Sequence, residues 1–216
     1  MRYCFDLFIF DMDGVLADTS PCHRRAYEDL WRRIGIRGPE YETIAGRKTC
    51  DVIKEFTAGL KPSPEQIQEW ILFKQLQARR YFSAEVITYP DTVRALTTLA
   101  KYKARLALGT SASRDSTRMI LNRLGISDLF SILVTGDDVK HGKPSPEIYL
   151  KIIQKAEISP HKTLIVEDSP SGLEAAIAST AYAASVRTGK KIEHPKFIGS
   201  FSDLCELLSK SGIEVP

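Results

Sequence analysis

A chain of 216 residues, 43% hydrophobic and 26% charged, is long enough to bury one substantial core and has the balance of a soluble globular protein. Its formal charge of +3 comes without a Lys/Arg block, which argues against nucleic acid, and no run approaches the ~20 apolar residues of a membrane helix. Four scattered cysteines (Cys4, Cys22, Cys50, Cys205) form no C-x-x-C pair, and the N-terminus is not patterned as a signal peptide, so a reduced, cytoplasmic monomer is expected.

Residues 5–10, Phe-Asp-Leu-Phe-Ile-Phe, read as a strand buried on both faces. The run stops at Asp11 and Asp13, with Gly14 letting the backbone leave sharply. Two carboxylates this close repel by about 4 kcal/mol at an effective dielectric of about 20, so a cation, a shared proton or an electrophile must offset them. The plain alternative is that Asp11 and Asp13 cap a turn and helix. A calcium loop fits poorly, because Gly14 follows the second Asp directly and no closing Glu is present.

Ser20-Pro21 then starts a helix whose apolar positions (Cys22, Ala26, Leu30, Ile34) run to Gly35. Further helices start at Thr49 and at Ser63-Pro64, the last reaching about Phe82. No β-rich run interrupts residues 19–83, which predicts an all-helical insertion. From Pro90 onward helices 91–101, 114–124, 146–156, 169–179 and 202–209 alternate with strands 104–109, 132–134, 163–166 and 182–186. This alternation predicts an α/β fold with a doubly wound parallel sheet, whose ligands gather beyond the strands' carboxyl ends.

Three later strand ends also carry polar chemistry. Thr110-Ser111 precede a helix, where hydroxyls and free N–H groups cradle anions or simply cap. Lys143, in His141-Gly142-Lys143-Pro144-Ser145-Pro146, is either a phosphate partner or a solvated loop lysine. Glu167-Asp168-Ser169 offers a metal site or a helix cap.

The strings Asp11-Met12-Asp13-Gly14-Val15-Leu16, Thr110-Ser111, Lys143-Pro144 and Glu167-Asp168, in this order, resemble the haloacid dehalogenase-like hydrolase superfamily. Within it the chain looks most like the phosphatase and β-phosphoglucomutase-like branch, also called CbbY-like. The resemblance implies a Rossmann-like core of residues 1–17 and 88–216, with a helical cap at 18–87 hinged near 17–19 and 83–89. It also implies phosphoryl transfer from a small phosphorylated metabolite, such as a sugar phosphate, through an aspartyl-phosphate. Asp11 would be the nucleophile and Asp13 the acid and base. Mg²⁺ would be held by Asp11, Asp168 and the Asp13 carbonyl, with Glu167 completing or steering the shell. Thr110 or Ser111 and Lys143 would hold the phosphoryl oxygens.

Asp13 separates the chain from dehalogenases and phosphonatases of the superfamily, which lack an acid there. Lys48 is displaced by one residue from the imine-forming lysine of the phosphonatases and reads as a substrate contact or an exposed cap lysine. His23, with Asp18-Thr19, resembles β-phosphoglucomutases, yet Thr49 stands where those mutases carry arginine and Ala45 where they carry lysine. A phosphatase is therefore expected ahead of a mutase, with a non-catalytic phosphate-binding module as the third reading. His23, Arg47, Lys48 and Trp70 are the expected specificity residues of the cap.

Overall fold

The computed structural model describes residues 5–85, 87–189 and 192–215; Cys4 lies outside them. In chain order the strands are β1 (Leu7–Phe10), β2 (Ala17–Asp18), β3 (Ile87–Thr88), β4 (Arg105–Gly109), β5 (Ile132–Val134), β6 (Thr163–Glu167), β7 (Tyr182–Val186) and β8 (Phe197–Phe201). The helices are α1 (Ser20–Ile34), α2 (Tyr41–Ile44), α3 (Thr49–Thr57), α4 (Pro64–Glu85), α5 (Thr92–Lys101), α6 (Arg114–Leu124), α7 (Glu147–Ala156), α8 (Pro170–Ala178) and α9 (Leu204–Lys210).

Six strands form one parallel sheet in the order β5-β4-β1-β6-β7-β8. Side chains of β1 alternate between its two faces, as extended backbone requires. Phe8 and Phe10 pack with Leu96, Ile120 and Leu207 of α5, α6 and α9. Leu7 and Ile9 pack with Tyr149, Ile152 and Leu173 of α7 and α8. Both faces are thereby covered, which is why β1 reads as a continuous apolar run rather than an alternating one.

The sheet starts at β1, moves outward through β4 and β5, then returns to the opposite side of β1 for β6 to β8. The connections leaving β1 and β6 diverge at this switch point and open a crevice beyond their carboxyl ends. Helices α1 to α4 carry a cluster of their own, built on Tyr27, Leu30, Trp31, Ile44, Val52, Ile53 and Ile71. The chain crosses to these helices and back through β2 and β3, which pair antiparallel (Ala17 with Thr88, Asp18 with Ile87).

This ribbon is too short to give a periodic signal, and β8 also lies outside the predicted strands. All five residues of β8 are half-buried at the sheet edge, and its register shifts near Ala183 and Ala184. A strand covered on one side only needs no unbroken apolar run. Cys205 falls at an apolar-pattern position, where a buried thiol is expected, but it is half-buried beside α5, where Arg94 donates to its sulfur at 3.3 Å. Among the described residues no helix is long and apolar enough to cross a membrane.

Candidate active site

Asp11 continues β1 by one residue, its N–H bonding Val166 O at 3.0 Å, and its carboxylate is buried at the switch point. Lys143 reaches it from the loop before α7. The residue is 2% exposed, and its ammonium donates to Asp11 Oδ1 (2.6 Å), Glu167 Oε1 (2.6 Å) and Gly109 O (3.2 Å), joining the ends of β1, β6 and β4. The solvated-lysine reading is thereby overturned.

Glu167 is saturated with donors. Oε1 also accepts the Tyr149 hydroxyl, and Oε2 accepts Asp168 N (3.1 Å), Ser169 N (3.4 Å) and Ser169 Oγ (3.2 Å). A Cβ on Gly172 would fall 2.0 Å from Glu167 Oε1, so α8 approaches the carboxylate only with glycine there. Ser169 takes the capping role on α8 by accepting Gly172 N at 3.1 Å, which leaves the neighbouring Asp168 carboxylate free of that duty.

Asp168 lies against the Asp11–Gly14 turn. Gly14 has φ of 79°, and a Cβ there would come within 2.0 Å of Asp168 Oδ2. One carboxylate oxygen from each of Asp11, Glu167 and Asp168 lies within 4.8 Å of the others. Burial, with the charges of Glu167 and Asp13, pushes Asp11 up to about 8 against the pull of Lys143. Burial, with Glu167 and Asp11, raises Asp168 as well. Burial alone would lower Lys143, but Asp11 and Glu167 outweigh it and keep the ammonium charged. Three clustered carboxyl groups against one lysine cannot all ionise without a further cation, and the all-oxygen donor set fits a hard divalent cation such as Mg²⁺.

Asp13 faces the other way. Its Oδ1 accepts Thr19 Oγ1 at 2.5 Å and His23 Nε2 at 3.2 Å, and it is absent from the three-carboxylate cluster. Lys74, 3% exposed on α4, lies 2.7 Å from His23 Nδ1. An ammonium is donor only, so Nδ1 must accept and the His23 ring proton resides on Nε2, facing Asp13. Burial and the charge of Lys74 lower His23, keeping it neutral. Burial would raise Asp13, but the hydrogen bonds from His23 and Thr19 and the charge of nearby Lys74 outweigh it and hold the carboxyl below its ordinary value.

The helical unit thus completes the surroundings of Asp13. Between it and the sheet lies a cavity of about 30 Å³, lined by Asp13, His23, Tyr41, Arg47, Lys74 and Ser111 among others. The loop 45–48 is pinned to the sheet side: Ser111 Oγ donates to Gly46 O (2.7 Å), Ser171 Oγ to Ala45 O (3.1 Å) and Lys48 Nζ to Val139 O (2.7 Å).

Among the predicted site residues, Asp11, Lys143, Glu167 and Asp168 converge, with Asp13 and His23 beside them. Thr110 is buried and its Oγ1 accepts Ala112 N at 3.1 Å, while Ser113 rather than Thr110 or Ser111 caps α6. Arg47 lines the cavity but donates to Glu55 at 2.5 Å. Lys48 is turned to Val139, and Trp70 packs within the helical unit's own cluster. Lys74 and Tyr149 were not singled out by sequence. A signal for Lys74 existed: it interrupts the α4 stripe of Ile67, Ile71, Ala78 and Phe82, where an unpaired lysine has no reason to sit.

Comparison with known proteins agrees with this geometry. The family model for haloacid dehalogenase-like hydrolases matches residues 8–186. A phosphorylated carbohydrates phosphatase of Thermotoga maritima is 36% identical over 78% of this chain and 78% of its own length. Fructose-1-phosphate phosphatase YqaB of Escherichia coli is 28% identical over 83% of this chain and 95% of its own. The crystal structure of CbbY from Rhodobacter sphaeroides in complex with phosphate superposes with a TM-score of 0.79 at 24% identity, covering 94% of this chain and 96% of that one. The chain belongs to the haloacid dehalogenase-like hydrolase family, in its phosphatase and β-phosphoglucomutase-like branch.

Proposed function

We propose that this phosphatase hydrolyses a small phosphorylated metabolite of the sugar-phosphate kind through an aspartyl-phosphate on Asp11, with Mg²⁺ as cofactor. The observation that carries this reading is the division of labour between two carboxylates two residues apart. Asp11 faces Lys143 and the acidic cluster, whereas Asp13 is turned to Thr19 and His23. Environments that separate two neighbouring carboxyls mark a nucleophile and an acid–base partner.

Asp11 and Asp168, with the Asp13 main-chain carbonyl, would hold the ion, and Glu167, whose oxygens are taken by protein donors, would steer them. A bound divalent cation screens the phosphoryl oxygens from Asp11 and keeps that carboxyl ionised. Asp11 then attacks phosphorus, the bond to the leaving oxygen breaks, and Asp13 delivers the proton. Negative charge arriving with the substrate phosphate raises the affinity of Asp13 for a proton, which it takes up from solvent before the leaving oxygen departs. Water next attacks phosphorus, Asp13 takes the water's proton, and phosphate departs with Asp11 regenerated. Lys143 and the Thr110–Ser111 segment hold the transferring oxygens.

Residues 18–87 act as the cap in this reading, moving about the β2–β3 ribbon and docking through loop 45–48 to exclude water. Hydrolysis is favoured over the mutase reaction because the cavity's cations are committed: Arg47 to Glu55 and Lys74 to His23. That leaves none among the described lining residues for a second phosphate.

The reading is tested by phosphate release from p-nitrophenyl phosphate and a panel of sugar phosphates, with and without Mg²⁺. No release from any substrate would sink it, and isomerisation dependent on a bisphosphate without phosphate release would replace it with the mutase.

Lys74 provides a separate check. Burial lowers its ammonium to about 8, so below pH 8 the folded protein bears the cost of a buried charge. Between there and the ordinary value of 10.5 the unfolded chain binds the proton more strongly, so that cost fades as pH rises. Lys74→Met should therefore stabilise the protein at pH 7 by up to about 3 kcal/mol, with less gain at pH 10. It should also lower kcat about 10-fold or more, because His23 loses the partner that fixes its tautomer. Thermal melts at the two pH values with kinetics check both parts; unchanged kcat would reject the role given to the His23 tautomer.

A further inference from the structure

We propose that Arg187 is a positioning residue for Asp13: it fixes the turn that carries the acid without touching the reacting atoms. The inference rests on the phosphatase reading above. Arg187 follows β7 with a φ of 66°, a left-handed conformation that a residue with a side chain adopts only where its surroundings impose it. Its N–H donates to Phe201 O of β8 at 2.9 Å, and its side chain reaches the two connections between the sheet and the helical unit. Its Nε donates to Val15 O at 3.3 Å, and one terminal nitrogen donates to both oxygens of Asp91 at 2.8 and 2.9 Å. The guanidinium also lies over Tyr89, with Cζ 3.7 Å from the ring centroid.

Val15 is two residues past Asp13, in a turn closed by Gly14 N to Ala17 O (2.9 Å) and Leu16 N to Met12 O (3.0 Å). The next carbonyl, Leu16 O, is taken by the buried Thr92 Oγ1 at 2.9 Å. Consecutive carbonyls of the acid-bearing turn are therefore gripped by donors from the sheet domain. Asp91, which holds Arg187, is itself fixed by Leu204 N at 2.8 Å, so the grip is anchored on α9. Tyr89 and Asp91 belong to the returning connection, so one planar, five-donor group ties the outgoing turn to the return. Lysine has neither the fork nor the stacking face to do this. Displacing an acid by about an ångström can cost about 100-fold, because proton transfer requires hydrogen-bond distance at the moment the bond breaks.

The test is the ratio of kcat/KM for phenyl phosphate to that for p-nitrophenyl phosphate, two substrates of similar shape. This quantity covers the steps up to departure of the leaving group. p-Nitrophenolate leaves readily without a proton, whereas phenolate depends more on the acid. Arg187→Gln and Arg187→Lys should lower the ratio about 10-fold, Thr92→Val should lower it less, and Asp13→Asn should show the full loss. A merely structural role reduces the folded fraction and moves both substrates equally. Equal losses, or an unchanged ratio in soluble Arg187→Lys and Thr92→Val, overturn the proposal while leaving the phosphatase reading intact. A wild type that releases phosphate from neither aryl phosphate nor any sugar phosphate overturns the two together; one that accepts sugar phosphates alone is read by the same ratio between a primary and an anomeric sugar phosphate, whose leaving groups likewise differ in their need for a proton. Where Arg187→Gln does not fold, the other two variants decide.

Discussion

Asp11→Asn is expected to abolish phosphate release, by about four orders of magnitude or more, and to remove any phosphorylated enzyme from acid-quenched reactions. The amide keeps the shape of the carboxylate and can still accept from Lys143, so the loss falls on nucleophilicity rather than on folding. The fold should tolerate the change well. In the wild type burial pushes Asp11 up to about 8, so its ionised form is costly without a cation, and a neutral amide removes that cost. The melting temperature of Asp11→Asn at pH 8 without divalent ions should therefore equal or exceed that of the wild type. Full activity in this variant would reject Asp11 as the nucleophile, and a large drop in melting temperature would reject the account of its environment.

Lys143→Met should be the most damaging single change to stability. The ammonium is the shared counter-ion of two buried carboxylates, Asp11 and Glu167. Removing one member of a buried ion cluster costs about 3–5 kcal/mol, because the remaining charges stay desolvated without a partner. In a protein of this size that is a fall of roughly 10 °C in melting temperature. The pH dependence follows by linkage. The folded-state value of Asp11, about 8, already lies above its ordinary 3.8, so stability is greatest below the latter and is lost as pH rises toward the former. Without Lys143 the Asp11 carboxyl gains affinity for protons, so the variant should recover part of the deficit at pH 5 relative to pH 8. Mg²⁺ works in the opposite sense in the wild type and should raise the melting temperature more at pH 8 than at pH 5. A Lys143→Met protein as stable as the wild type at pH 8 would contradict the buried cluster.

The order of residues is enough to read the parallel α/β core and the strand ends at which chemistry could gather. Apolar runs and helical periods are local, and they survive whatever packs around them. Asp11, Asp13, Lys143, Glu167 and Asp168 stand out for the same reason, each at or just past a strand's end or in the loop before a helix. Tertiary structure alone decided what those residues face. Lys74 meets His23 across 51 positions and Arg187 meets Val15 across 172, pairs that no local pattern announces. Loop 45–48 turned Lys48 to a backbone carbonyl and brought the hydroxyl of Ser111 against Gly46, because closing the helices over the sheet satisfies buried polar groups with the nearest partners. The burial that raises Asp11 and the donors that lower Asp13 likewise exist only once elements distant in the chain have been packed together.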